Sequence, residues 1–294
     1  MNRFLFPVYR IVVPKPVRTF ILKKDLRKKI LKHFASLQPG DISSEHREVI
    51  EYLEKNELTI FPYAFSAAYS PEKIEVFTDP DNKLPYVIQE GRRLYFKRRW
   101  PANRIRRAYA DLSREQDPMS PHRYLSETFA IGDTDSLADI GAAEGNFALS
   151  VIEKIRKLYL VEYDQEWVEA LNATFAPWKD KVVIIGKYLS DTDDERNMKM
   201  DSLLAMHPGI SFIKIDVDGF EQKVLNGSAK TLSGVSPLKI ALCTYHKNDD
   251  EAVFTRILEN NGFSVTPSRG YMIHYYDKKI KNPWLRRGLI RAVK

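Results

Sequence analysis

The chain has 294 residues, 44% apolar and 29% charged, with a formal net charge of +7. These proportions describe a globular chain of one large domain or two modest ones, and they exclude a disordered or fibrous one. A lone cysteine, Cys243, excludes an internal disulfide framework and suits a reducing cytoplasm. No apolar run approaches the roughly 20 residues that a spanning helix needs.

The positive charge is unevenly placed. Residues 92–107 carry eight basic groups and no acid, residues 15–33 carry eight and one acid, and the last nine residues carry four. Together they exceed the net charge of the chain, so the rest is acidic. Such flanks predict an anionic partner: a membrane surface, a phosphate-bearing glycan intermediate or a nucleic acid. The opposing reading is a set of solvated helix faces. Arg10, Lys15, Arg18 and three prolines make residues 1–22 a poor signal peptide. The expected place is the cytoplasm, peripheral to the inner membrane face if the basic flanks meet lipid.

In chain order, residues 1–18 mix apolar residues with prolines and read as a packed strand or an interfacial anchor. Residues 19–36 form a basic helix, with Leu26, Ile30 and Phe34 at helical spacing. Pro39-Gly40-Asp41 stops it, and Ser43-Ser44-Glu45-His46 caps a second helix over 44–56. His33 and His46 read as surface residues. Residues 58–97 read as a small meander with strands at 73–77, 86–88 and 93–96. Tyr95, Phe96, Trp100, Arg98 and Arg99 would suit stacking on a sugar or gripping a phosphate. The alternative makes the aromatics core and pairs the arginines with acids of the second half. A helix over 103–113 follows. The polar, proline-rich stretch 114–125 can then fold over a ligand mouth, with Gln116, His122 and Tyr124 as candidate contacts. Residues 1–112 are thus expected to be a basic accessory domain and residues 113–294 the catalytic domain.

From residue 135 the chain alternates apolar strands and amphipathic helices. A strand ends at Asp139-Ile140, a glycine turn follows, a helix opens at Asn146-Phe147, and a second strand ends at Glu162. A dinucleotide fingerprint would need glycines at 143 and 146, where Ala143 and Asn146 stand. Asp139, just before Gly141, suits a cationic group better than a phosphate. Glu162 lies 21 residues after Gly141, where a ribose acid is expected. These features point to S-adenosylmethionine. Asp139 and Glu144 would manage its cationic end, with Gly141, Ala142 and Gly145 shaping the turn. The helix amides at Asn146 and Phe147 would hold its carboxylate, Glu162 its ribose, and Tyr163 would pack beside adenine. Further strands are expected at 181–186, 210–215 and 237–243, helices at 165–175 and 249–260, and a final antiparallel strand at 271–276, carrying a half-buried His274. Residues 283–291 read as a basic apolar tail that docks on the first domain or on a membrane.

The run Asp139-Ile140-Gly141-Ala142-Ala143-Glu144-Gly145-Asn146-Phe147, the strand ending in Glu162, and Lys214-Ile215-Asp216-Val217-Asp218-Gly219-Phe220-Glu221 resemble the FkbM family of S-adenosylmethionine-dependent methyltransferases, over about residues 113–276. The family usually reads K-I-D-V-E-G-x-E, and this chain departs from it at Asp218. The resemblance implies a Rossmann-like doubly wound α/β sheet beside a smaller α+β N-terminal domain. It also implies an adenine site at the exit of the third strand. There Ser190 or Asp191 would meet the exocyclic amine, and Tyr188 or Leu189 would cover the ring. A sugar or other small hydroxyl compound is the implied acceptor.

For catalysis, His246 follows the fifth strand and falls on the same sheet edge as Asp216. A histidine there beside a carboxylate fits a general base, with Asp216 orienting the acceptor. Asp216, Asp218 and Glu221 supply hard oxygens for a divalent metal, without a diagnostic loop spacing. Two rivals stand: a nucleic-acid methyltransferase, opposed by the lack of a D/N-P-P-Y/F tetrad, and a non-catalytic binding protein, opposed by intact Asp139, Gly141, Gly145 and Glu162.

Overall fold

Runs of buried residues set the architecture. Ser136–Ile140 and Phe212–Ile215 are buried throughout, and Lys157–Val161 and Lys239–Cys243 at all but their first residue. Parallel strands covered on both faces show this pattern. The computed structural model describes residues 14–294. The strand or anchor expected over 1–18 lies almost wholly outside them.

In the first half, α1 (Lys15–Ala35) and α2 (Ser44–Lys55) precede an antiparallel meander of β1 (Phe77–Thr78), β2 (Pro85–Gln89) and β3 (Arg92–Tyr95), followed by α3 (Ala102–Glu115). The Ser43 hydroxyl accepts from His46 N at 3.2 Å and caps α2 as expected. Both histidines are half-buried rather than surface residues. His46 stacks on Tyr271, and His33 meets Trp284 edge-on.

The second half runs β4 (Ser136–Ile140), α4 (Asn146–Val151), β5 (Lys157–Val161), α5 (Gln165–Phe175), β6 (Val182–Ile185), β7 (Tyr188–Leu189), β8 (Asn197–Met198) and α6 (Met200–Met206). It continues with β9 (Phe212–Ile215), α7 (Glu221–Asn226), α8 (Ala229–Gly234), β10 (Lys239–Cys243), α9 (Asp250–Asn260), β11 (Ser264–Pro267) and β12 (Leu289–Val293). The main sheet has the order β11-β12-β10-β9-β4-β5-β6, with β12 antiparallel to both its neighbours. The chain leaves β4 towards β5 and β6 and returns on the other side at β9. Its switch point therefore lies between β4 and β9, the place at the carboxyl ends of the strands where open sheets of this kind take their ligands.

Side-chain alternation divides the sheet between two cores. Leu137, Leu158, Leu160 and Phe212 face a core shared with the meander and α3, through Val87, Leu94, Phe96 and Ile105. Ala138, Ile140, Ile213 and Leu242 face α6 to α9. The first core crosses residue 112, and α3 runs through that position, so the boundary expected there cuts a helix and a continuous apolar core.

The final strand is not at 271–276. Met272 makes one isolated bridge to Arg286, and Met272, Ile273 and Tyr275 pack with Leu26, Ile30 and Val49 of the first two helices. The stretch 283–291, expected as a basic apolar tail docking on the first domain or a membrane, packs on the first two helices through Trp284, Leu285 and Arg287, and its last residues enter β12, inserted between β10 and β11. Its cations are engaged within the fold. Arg286 donates to the carbonyls of Tyr245 and His246, Arg287 pairs with Glu45 at 2.8 Å, and Arg291 donates to Tyr124 O at 2.9 Å. No helix among the described residues is long and apolar enough to cross a membrane.

Candidate active site

The glycine turn is fixed by close packing. Gly141 has φ +73°, and a Cβ there would lie 2.1 Å from the carbonyl oxygen of Asp216. Gly145 has φ +79°, and its Cβ would meet Leu171 and Phe175 of α5 at 2.8 and 2.9 Å. Ala142 is buried, and Ala143 takes φ +47°, which aims its N–H at Glu162 Oε2, 3.0 Å away. The other oxygen of Glu162 accepts from Asp164 N at 2.8 Å. Each oxygen keeps a second lone pair for a diol. Beside Glu162, Tyr163 and Tyr188 stack at 4.2 Å between centroids. Tyr188 is 52% exposed, so the stack presents an open aromatic shelf.

Leu189 is buried, and Ser190 donates to Asp191 Oδ1 at 3.1 Å. Asn146 accepts from the Gln89 side chain at 2.8 Å through its carbonyl, and Phe147 packs on Tyr124 at 4.9 Å. The helix they open has six residues, too few aligned peptides for the anion-holding dipole expected of it. Gln116 accepts from Tyr124 N at 3.4 Å and thus folds the 114–125 segment onto itself.

Asp139 does not present a free charge. It lies beside Lys214 on the neighbouring strand, 2.9 Å from its ammonium, with both side chains buried. Burial pulls the Lys214 pKa down, but Asp139 and Asp216 raise it further than that, while burial lifts Asp139 above its ordinary value against the pull of Lys214. A lysine inside the buried strand Phe-Ile-Lys-Ile requires such an acid, and that was the signal available in the sequence. Two further buried acids near the turn form no ion pair among the described residues: Glu144 and a residue the sequence reading missed, Glu115, at the end of α3. Burial pushes Glu144 up to about 8, opposed by its own backbone amide and reinforced by Glu115. Burial likewise lifts Glu115 to about 7, against the attraction of His122. A cation placed beside the two acids would draw both into the ionised form.

Asp216 stands at the tip of β9. Its Oδ2 accepts from Tyr124 Oη at 3.0 Å and lies 3.5 Å from His122 Nε2, and its Oδ1 accepts from Tyr245 Oη at 3.4 Å. Burial alone would raise its pKa, yet His122, Lys214 and His246 hold it well below the usual carboxylate range. Both phenols are pushed up by burial and by Asp216, so they remain donors. His246 reaches the same tip, with Nε2 3.9 Å from Asp216 Oδ1 and Nδ1 3.0 Å from Glu221 Oε1. Burial lowers its pKa, but Asp218, Glu221 and Asp216 raise it to about 10. The imidazole is therefore a cation at neutral pH and does not serve as the general base expected of it. Glu221 is fully buried and accepts from Val217 N and Gly219 N, at 3.1 and 3.2 Å. It clamps the turn that carries Asp218.

In the basic aromatic stretch the alternative reading fits most residues. Tyr95 and Phe96 are core residues, and Trp100 meets Trp167 edge-on at 5.1 Å. Arg93 pairs with Asp79, Lys97 with Asp164 and Arg98 with Glu169, while Arg92 donates to Leu149 O.

Among solved structures, the chain is similar to a methyltransferase FkbM from Methylobacillus flagellatus, at 16% identity and a TM-score of 0.44. That match covers 66% of this chain and 53% of the other, so the chain spans about half the length of that protein. A precorrin-6y C5,15-methyltransferase from Geobacter metallireducens matches at 14% identity and a TM-score of 0.39, over 56% of this chain and 81% of the other. An rRNA methylase from Streptococcus thermophilus matches at 13% and 0.39, over 56% and 89%. No curated protein matches the chain. The sequence model of the methyltransferase FkbM domain matches residues 110–265, more than half of the chain, and the chain therefore belongs to the FkbM methyltransferase family.

Proposed function

We propose that this methyltransferase uses S-adenosylmethionine to methylate a hydroxyl group of a sugar or glycan precursor. The carrying observation is the pair of cation-free carboxyl groups, Glu144 and Glu115, beside the glycine turn. Glu162 would hold the ribose with its spare lone pairs, the Tyr163–Tyr188 shelf would receive adenine, and Glu144 with Glu115 would meet the amino group. S-adenosylmethionine, when bound, supplies a methyl carbon activated by a positive sulfur.

The residues around Asp216 suit a hydroxyl acceptor. Its carboxylate is anionic, and Tyr124 and Tyr245 hold it in place. A hydroxyl becomes strongly acidic as its oxygen takes on a methyl group, so a carboxylate of low pKa is a competent proton acceptor. His246, charged, would donate to the acceptor and fix its orientation. The internal pairing of Arg93, Arg98 and Arg287 favours a small acceptor over a nucleic acid, which needs free cations along its phosphates.

Exposed basic residues remain at Arg99, Arg104 and Arg107 and, together with apolar ones, on α1. Val17, Phe20, Ile21 and Leu22 are exposed there, among Lys15, Arg18, Lys23, Lys24 and Lys28. This combination supports docking on an anionic membrane face, where a lipid-linked acceptor would be presented. Turnover tests the proposal. Sugar and glycan acceptors should yield methyl ethers and RNA none, and methylation of RNA alone would overturn the reading. Co-flotation with phosphatidylglycerol vesicles, lost in Lys23→Glu/Lys24→Glu, tests the docking.

A further inference from the structure

We infer that His274 and Tyr276 form a platform for a sugar ring of the acceptor, next to the hydroxyl that Asp216 deprotonates; the assignment to an acceptor rests on the function proposed above. Both residues lie in the stretch 271–276, which the main sheet leaves out. Met272, Ile273 and Tyr275 are buried against the first two helices, while His274 is half-buried and Tyr276 is exposed. His274 reaches the residues that follow β10. Its ring lies 5.3 Å from that of Tyr245 and 6.1 Å from that of His246, between centroids. Tyr245 in turn donates to Asp216 Oδ1 at 3.4 Å. Tyr276 extends the row outward, its ring 6.2 Å from that of His274. A continuous row of rings therefore leads from the proposed proton acceptor to solvent.

Tyr276 is 62% exposed, yet its ring is held. It packs on the Tyr275 ring at 4.3 Å, and its hydroxyl accepts from Tyr275 Oη at 2.9 Å. Tyr275 is itself buried. An aromatic face fixed in this way loses little freedom when a ligand covers it. The C–H face of a pyranose is an apolar surface of matching size, and both faces leave water when they stack. His274 supplies the polar side. Burial, His246 and Arg286 push its pKa down to about 4, against Asp277 and Asp218, so the imidazole is neutral at physiological pH. A neutral imidazole donates from one ring nitrogen and accepts at the other, as sugar hydroxyls themselves do. The charged His246 beside it can only donate. An aromatic face joined to a few polar groups that fix orientation is how small-molecule sites combine affinity with specificity.

Tyr276→Trp keeps an aromatic face and reports on it. This variant of the full chain, titrated with the methyl glycosides of glucose, mannose, galactose and rhamnose, should show a saturable change in tryptophan fluorescence with at least one of them, beyond any change in the wild type. Uridine should give none. With the responding glycoside as methyl acceptor, Tyr276→Ala should raise KM at least tenfold while kcat changes less than threefold. Tyr276→Phe, which keeps the face, should restore most of that loss. Adenosylhomocysteine binding within twofold of wild type shows that the variants are folded. A response to uridine alone, no response to any glycoside, or an unchanged KM in Tyr276→Ala overturns the platform. Saturable glycoside binding without methyl transfer to any glycoside would sink the proposed function and leave the platform standing.

Discussion

Replacing Glu144 with glutamine should make the ligand-free protein more stable at alkaline pH while it loses its cofactor. In the folded chain Glu144 keeps its proton up to a pH of about 8, against 4.5 for an ordinary glutamate. The unfolded chain releases that proton from about pH 4.5 upward. Between these limits the folded state binds more protons, so stability falls as pH rises and levels off above about 8. Neutralising the difference corresponds to about 5 kcal/mol at about 1.4 kcal/mol per pH unit, and water entering the site reduces this to roughly 2–5 kcal/mol. Urea unfolding of wild type and Glu144→Gln from pH 5 to 9 measures it, because groups uncoupled from Glu144 cancel in the difference and only its neighbours Glu115 and Asp139 shift with it. The variant should gain progressively on the wild type between pH 5 and 8. Saturating adenosylhomocysteine should abolish the gain, because its ammonium stabilises the ionised acid. Parallel stability curves would refute the reasoning.

Gly145→Ala combines φ +79° with Cβ contacts of 2.8 and 2.9 Å to Leu171 and Phe175, and should cost about 2–4 kcal/mol in urea unfolding; wild-type stability would show that α5 yields freely. Lys214→Met leaves Asp139 buried and alone and should cost about 3–5 kcal/mol, most of it restored in the Lys214→Met/Asp139→Leu double variant. Additive losses in that cycle would mean that the two residues act independently. Tyr188→Ala should leave stability within about 0.5 kcal/mol, because the ring is half exposed, yet weaken adenosylhomocysteine binding about tenfold by calorimetry, a loss that stacking energies support. Unchanged affinity would remove the shelf from the adenine site.

The parallel strands were legible in the sequence because each is a short apolar run that ends in an acid or at a turn, with a helical period between them. The last strand was not. Tyr271 to Tyr276 has the higher β-propensity, but a strand needs partners, and the gap between β10 and β11 is filled by Leu289–Val293. Arg291 disguised that strand as a tail because its side chain reaches back to Tyr124 and Arg123 across the fold. The basic clusters misled for the same reason: Arg98 meets Glu169 only once β3 packs on α5. At the site, the positions of Asp216, Glu162 and His246 followed from the strand ends. Their charge states did not, since burial and Lys214 set that of Asp139, and Asp218 and Glu221 that of His246. Glu115 escaped notice because it closes a helix of the first half and reaches the site only through tertiary packing.

Calorimetric titration of the purified chain with S-adenosylmethionine, and separately with NAD, decides whether the glycine turn and Glu162 bind a sulfonium nucleoside. One S-adenosylmethionine site per chain, lost in Glu162→Ala, and no heat from NAD are expected. Binding of NAD with indifference to the sulfonium compound would contradict that assignment.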